Sequence, residues 1–115
     1  MGQLHFDTSE PGVAIVLLEG EHELFSAPKL QRRLEALIGE GVAVVIDLSA
    51  TTFLDSSVVS VLLRARDRAR AAGTRLAIVM DDSTPLPVRR TFEITGLAAM
   101  LPVVGSRAAA LPRTS

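Results

Sequence analysis

Val42-Ala43-Val44-Val45-Ile46-Asp47-Leu48, followed closely by Thr52-Phe53-Leu54-Asp55-Ser56-Ser57, is the stretch on which the chain turns. The first run is almost wholly apolar and branched, which predicts a strand buried on both faces. At the serines the period becomes helical. Val58, Leu62, Ala65 and Ala69 share one face at about 100° per residue. Asp55 is a good N-cap, because its side-chain oxygen can accept from the free amides of the first turn. The helix is expected over residues 56–72, with Gly73 as its stop. Ser56, Ser60, Arg64, Asp67 and Ala71 gather on the opposite face, so Ser56 is expected to point away from the core. Val59 and Leu63 lie on the shoulder between the two faces. They either form part of a docking surface or pack under a neighbouring helix. Unpaired first-turn amides and the helix dipole favour an anion, so a hydroxyl at Ser56 can carry a phosphate well.

Working outward, residues 13–18 are a second continuous apolar run, and residues 75–80 read as a third buried strand. Between the first two lies a helical pattern over residues 27–38, with Leu30, Leu34, Leu37 and Ile38 inward, Ser26 as its cap and Pro28 in its first turn. Strand, helix, strand and helix in turn predict parallel crossovers, and so an α/β domain. Residues 19–23 read as an acidic loop. Thr84 is the expected cap of a further helix that turns Val88 and Phe92 inward and ends at Gly96. Residues 4–7 and 102–104 read as edge strands, and a short helix after Ser106 is stopped by Pro112.

Composition narrows the function. The chain has 115 residues, enough for one domain with a real core. Apolar residues make up 48% and aromatics 3%, so that core is aliphatic. A net charge of −1 gives no global attraction to nucleic acid or an anionic membrane. With no cysteine there is no disulfide scaffold, thiolate nucleophile or Cys-based metal site. The N-terminal residues lack the pattern of a signal peptide, and no apolar run is long enough to span a bilayer. A cytoplasmic domain without metal or cofactor is expected. Glu21-His22-Glu23 reads as a solvated loop, since adjacent residues rarely converge on a metal. Arginines 64, 66, 68 and 70 spread around their helix, with Asp67 among them and no aromatics, which is a solvated face. A serine nucleophile needs a base and an oxyanion site. Neither His5 nor His22 has a sequence reason to meet Ser56, so no catalytic residue is assigned.

Six segments together resemble the STAS domain family, and within it the single-domain anti-sigma factor antagonists of bacteria. They are Leu18-Glu19-Gly20-Glu21, Ser26-Ala27-Pro28-Lys29-Leu30, Val45-Ile46-Asp47-Leu48-Ser49, Phe53-Leu54-Asp55-Ser56-Ser57, Arg70-Ala71-Ala72-Gly73-Thr74-Arg75-Leu76, and Val88-Arg89-Arg90 leading to Thr95-Gly96-Leu97. The resemblance implies one STAS domain over residues 1–115, a mixed four- to five-stranded sheet with about four helices packed on it. It implies a phosphoprotein that regulates transcription. An anti-sigma factor with serine-kinase activity would bind the unphosphorylated form and phosphorylate Ser56, with Ser57 second to it, and a serine phosphatase would reset the switch. Glu21, Glu23, Asp55, Ser57, Val59, Ser60, Leu63 and Arg64 would contact the partner. Two features depart from the family pattern. Val58-Val59-Ser60 stands where members usually have Gly-Leu-Gly, and Glu23 where they often have Asp. Both changes are expected on the interface. They leave room for the alternative, a STAS adaptor subunit of a larger signalling or transport complex that is never phosphorylated.

Overall fold

The computed structural model describes residues 2–111. Among them are six strands and five helices: β1 (Gln3–Asp7), β2 (Val13–His22), α1 (Ala27–Gly39), β3 (Ala43–Asp47), β4 (Thr51–Leu54), α2 (Ser56–Ala71), β5 (Leu76–Val79), α3 (Leu86–Thr95), α4 (Leu97–Met100), β6 (Val103–Val104) and α5 (Arg107–Ala110). The sheet is mixed and runs β1-β2-β3-β5-β6, with β4 paired to β2. Only β1 is antiparallel to its neighbour. The α/β class and mixed sheet are as expected. Pro112, the expected stop of α5, lies outside the described residues.

Strand alternation decides which face each side chain serves. Val16 and Leu18 of β2, Val44 and Ile46 of β3, and Ile78 of β5 point to one face. There they meet Leu30 and Leu34 of α1, Val58, Val61 and Leu62 of α2, and Phe92 of α3 in the main core. Val13, Val45 and Val79 point to the other face, where α5 lies across them with Ala110. The strands are thus covered on both sides, which is why they read as continuous apolar runs. Asp47 also faces α5, and its carboxylate accepts from Arg107 Nε at 2.6 Å while capping the Ser49 amide at 2.8 Å.

Three sequence expectations fail for physical reasons. Residues 19–22 are not a loop, because β2 continues through them to His22. Gly20, at φ 81°, lets the strand shift register there. Its first half pairs with β3 and its last residues pair with β4. Thr51–Leu54, given no structure from sequence, is that β4 strand. Its Thr51 hydroxyl is buried and donates to the Leu18 carbonyl at 2.6 Å, so a polar start hides a structural position. The expected caps at Ser26 and Thr84 also fail. Ser26 Oγ serves Glu23 instead, and Thr84 Oγ1 accepts from the Asp81 amide in the turn before α3.

Candidate functional site

The site lies where β2 and β4 end side by side. Glu21 pairs with Phe53 and His22 with Leu54, and the Asp55 amide donates to the His22 carbonyl at 3.2 Å. Two turns of chain therefore emerge together: residues 23–26 from β2, and Asp55-Ser56 from β4.

Asp55 caps α2 from extended backbone, as expected. Its carboxylate accepts from the Ser57 amide at 3.0 Å and the Val58 amide at 3.2 Å. The Ser57 hydroxyl donates to the same oxygen. That hydroxyl above all, with the amides of Val58, Ser57 and Leu24, holds the Asp55 carboxyl below the usual carboxylate range. Replacing Asp55 by Ala is expected to destabilise the fold by about 1 kcal/mol, with Asn recovering most of it. Urea unfolding of the two variants checks this.

The consequence for the serines is a division of labour. Ser57 is half-buried and its hydroxyl is engaged, whereas Ser56 is exposed and its hydroxyl makes no hydrogen bond among the described residues. One idea from sequence needs correcting. The amides of Ser57 and Val58 do not await an anion, because the Asp55 carboxylate already occupies them. A phosphate on Ser56 would project outward beside that carboxylate.

The other expected contact residues divide. Glu21, Glu23, Ser60 and Arg64 are exposed. Val59 and Leu63 are half-buried and packed against the main core, so packing rather than open exposure describes them. Val58, which the helical period places on the inward face although the resemblance puts it at the partner's interface, is fully buried in the core. Its methyl groups fill the helix–sheet contact, leaving Ser60 and Glu23 as the departures from the family pattern that face solvent.

What sequence reasoning missed is apolar. Leu24 is 69% exposed and Phe25 91%, at the tip of the turn after His22, and Phe53 of β4 is 44% exposed. Two large apolar residues in sequence, between a strand and a helix and fitting neither period, were the available signal. Exposed side chains of this size beside a free serine mark a contact surface more than a solvated turn.

His22 holds that turn in place. It was expected in solvent and is fully buried. Its Nε2 lies 3.0 Å from the Glu19 carbonyl and 3.2 Å from the Gln3 carbonyl, so Nε2 carries the proton. Its Nδ1 lies 3.1 Å from Ser26 Oγ, which also accepts from the Glu23 amide. Burial pushes the His22 pKa down, outweighing those carbonyls. A lowered folded pKa means that the neutral ring stabilises the fold. That contribution is whole above the unfolded value of about 6.5 and is lost as pH falls below it toward the folded pKa. Denaturant midpoints between about pH 8 and 5 are expected to fall on the acid side in the wild type, and less so in His22→Gln.

His5 lies 3.3 Å from Glu19, and no hydrogen bond joins either histidine to Ser56 among the described residues. No group of three or more His, Asp or Glu side chains able to hold a metal occurs among the described residues, and no helix there is long and apolar enough to cross a membrane.

Comparison with known proteins agrees with this architecture. The STAS domain family model matches residues 8–110. The chain belongs to the STAS domain family. Among solved structures it is similar to an anti-sigma factor antagonist from Mycobacterium paratuberculosis, at 26% identity and a TM-score of 0.79 over 96% of this chain and 91% of that one. It is also similar to the anti-sigma factor antagonist SpoIIAA in its unphosphorylated form, at 19% identity and a TM-score of 0.75 over 93% of this chain and 92% of that one. SpoIIAA of Bacillus in its phosphorylated form gives 16% identity and a TM-score of 0.71 over 93% and 96%. No curated protein matches the chain.

Proposed function

We propose that this chain is an anti-sigma factor antagonist. It binds an anti-sigma factor that is also a serine kinase, and phosphorylation of Ser56 by that partner ends the complex. A serine phosphatase restores the binding form. The chain thereby acts on transcription without catalysing a reaction, and such a role belongs in the cytoplasm. The observation that carries the proposal is the exposed Ser56 with its unengaged hydroxyl, on the same end of the sheet as the exposed Leu24 and Phe25. The likeness to solved anti-sigma factor antagonists supports it.

The mechanism is local. The partner would cover Leu24, Phe25 and Phe53 and exclude water around Ser56. Phosphate adds nearly two negative charges there, next in sequence to the Asp55 carboxylate and on the same end of the sheet as Glu21 and Glu23. A desolvated charge without a counter-charge costs more than the ~1.4 kcal/mol that separates tenfold steps in affinity. The adaptor alternative leaned on the loss of glycines at Val58 and Ser60, and of these two only Ser60 faces solvent.

One experiment separates the two. The protein is mixed with the sigma-regulating kinases of its genome and ATP, and phosphate is mapped by mass spectrometry. Phosphate on Ser56 is expected. Stable partner binding with no phosphate at any serine would instead identify the adaptor.

A further inference from the structure

The opposite end of the sheet from Ser56 carries a concave site. A cleft of about 440 Å³ opens between the start of β5, the C-terminal half of α2, the residues after α4, and α5. Three arginines line it, Arg66, Arg70 and Arg75, and no acidic residue does. Arg66 is committed: it donates to the Met100 carbonyl and to the Asp67 carboxylate. Arg70 and Arg75 form no ion pair among the described residues.

The floor of the cleft is a broken sheet edge. Ile78 and Met80 donate their amides to the carbonyls of Pro102 and Val104. On the other side of β5, the Val44 amide donates to the Arg75 carbonyl. By the alternation of a parallel strand, the N–H and C=O of Leu76 therefore face the β6 side. Continuing that register backward, the Leu76 carbonyl would meet the amide of Pro102, which has no N–H. The Leu76 amide would meet the Met100 carbonyl, which takes Arg66 instead. Leu76 is only 6% exposed, so this is a recessed amide without a protein acceptor among the described residues. Apart from Thr74, the remaining walls are apolar, among them Ala69, Met100, Ala109 and Ala110. The volume falls in the range of small-molecule sites.

We propose that this cleft binds a small amphiphilic anion, an oxyanion head on an aliphatic body. Arg70 and Arg75 supply the charge, the Leu76 amide a fixed neutral donor, and the alanine and methionine walls the apolar contact. Carboxylate and phosphate heads share this chemistry, since a guanidinium pairs with either through two parallel hydrogen bonds. The site is remote from Ser56 and stands or falls independently of the phosphorylation switch.

The test is an NMR titration of the isotope-labelled protein with octanoate, octyl phosphate and uncharged octanol. Saturable shifts are expected at the amides of Leu76, Ala77, Met100 and Ala110, and none at Ser56. The anions should bind at least about tenfold tighter than octanol, and whichever anion binds tighter names the head group. The double variant Arg70→Ala with Arg75→Ala should weaken anion binding by about tenfold or more without lowering the melting temperature, because both side chains are exposed. Ala109→Trp should block all three ligands. No saturable shift at these amides up to about 5 mM, equal binding of octanol, or an unchanged affinity in the double arginine variant would each overturn the proposal.

Discussion

Ser56→Asp is expected to weaken binding of the anti-sigma factor by at least about a hundredfold, or about 2.7 kcal/mol. Ser56→Ala should stay within about threefold of the wild type, a difference of less than 1 kcal/mol. The asymmetry follows from the site. Alanine removes a hydroxyl that makes no hydrogen bond among the described residues. Aspartate puts a full charge where the covering partner excludes water, and removing a buried charge's compensation typically costs about 2–5 kcal/mol. The fold itself should tolerate the change. Ser56 is exposed in the first turn of α2, where a carboxylate is mildly stabilising. Calorimetric titration gives the affinities, and a thermal melt gives the control. A repeat at about 0.5 M salt sorts the cause: long-range repulsion from Glu21, Glu23 and Asp55 is screened there, while desolvation is not. Phosphoserine should exceed the aspartate effect, since it carries more charge and three acceptor oxygens. Tight binding by Ser56→Asp, or an equal loss in Ser56→Ala, would sink the switch.

How much of this was legible in the chain depended on whether one local signal settled the matter. The buried strands and the two long helices were legible, because an unbroken apolar run or a sustained 3.6-residue period fits one kind of element and few others. The outward direction of Ser56 followed from the same period. Thr51–Leu54 was not legible as a strand. Four residues with polar threonines carry no decisive alternation, and the strand exists because β2 bends at Gly20 and offers an edge. His22 was misjudged for a related reason. Glutamates at positions 19, 21 and 23 look solvated, yet alternation sends position 22 to the other face, into the core. Val58 shows the limit of reading by resemblance. The resemblance put this position at a partner's contact, whereas the helical period put it on the inward face, and it fills the helix–sheet contact. Leu24 and Phe25 fit no period at all, and only the folded chain shows that their turn emerges beside Asp55.

The second large effect tests whether that juxtaposition depends on α3. Only Val88 and Phe92 of α3 are buried, and the helix packs on β4, which pairs with β2 alone among the described strands. Phe92 is 1% exposed, the largest fully buried side chain. Phe92→Ala is expected to cost about 3–5 kcal/mol, through lost apolar burial and an incompletely collapsed cavity. For a domain of this size that lowers the melting temperature by about 10–25 °C. A loss below about 1 kcal/mol would mean that α3 is held by something other than its aromatic anchor. The loss should also be uneven. With its anchor gone, α3 can lift while the parallel centre of the sheet stays paired, because β3 is bonded on both sides and β4 is not. Amide exchange should therefore rise more in β4 and the first turn of α2 than in β3. Partner affinity should fall with it, since Phe53 and Asp55 are positioned by the end of β4. Equal acceleration in β3 and β4 would instead show that the domain opens only as a whole. The site's geometry would then rest on global stability rather than on α3.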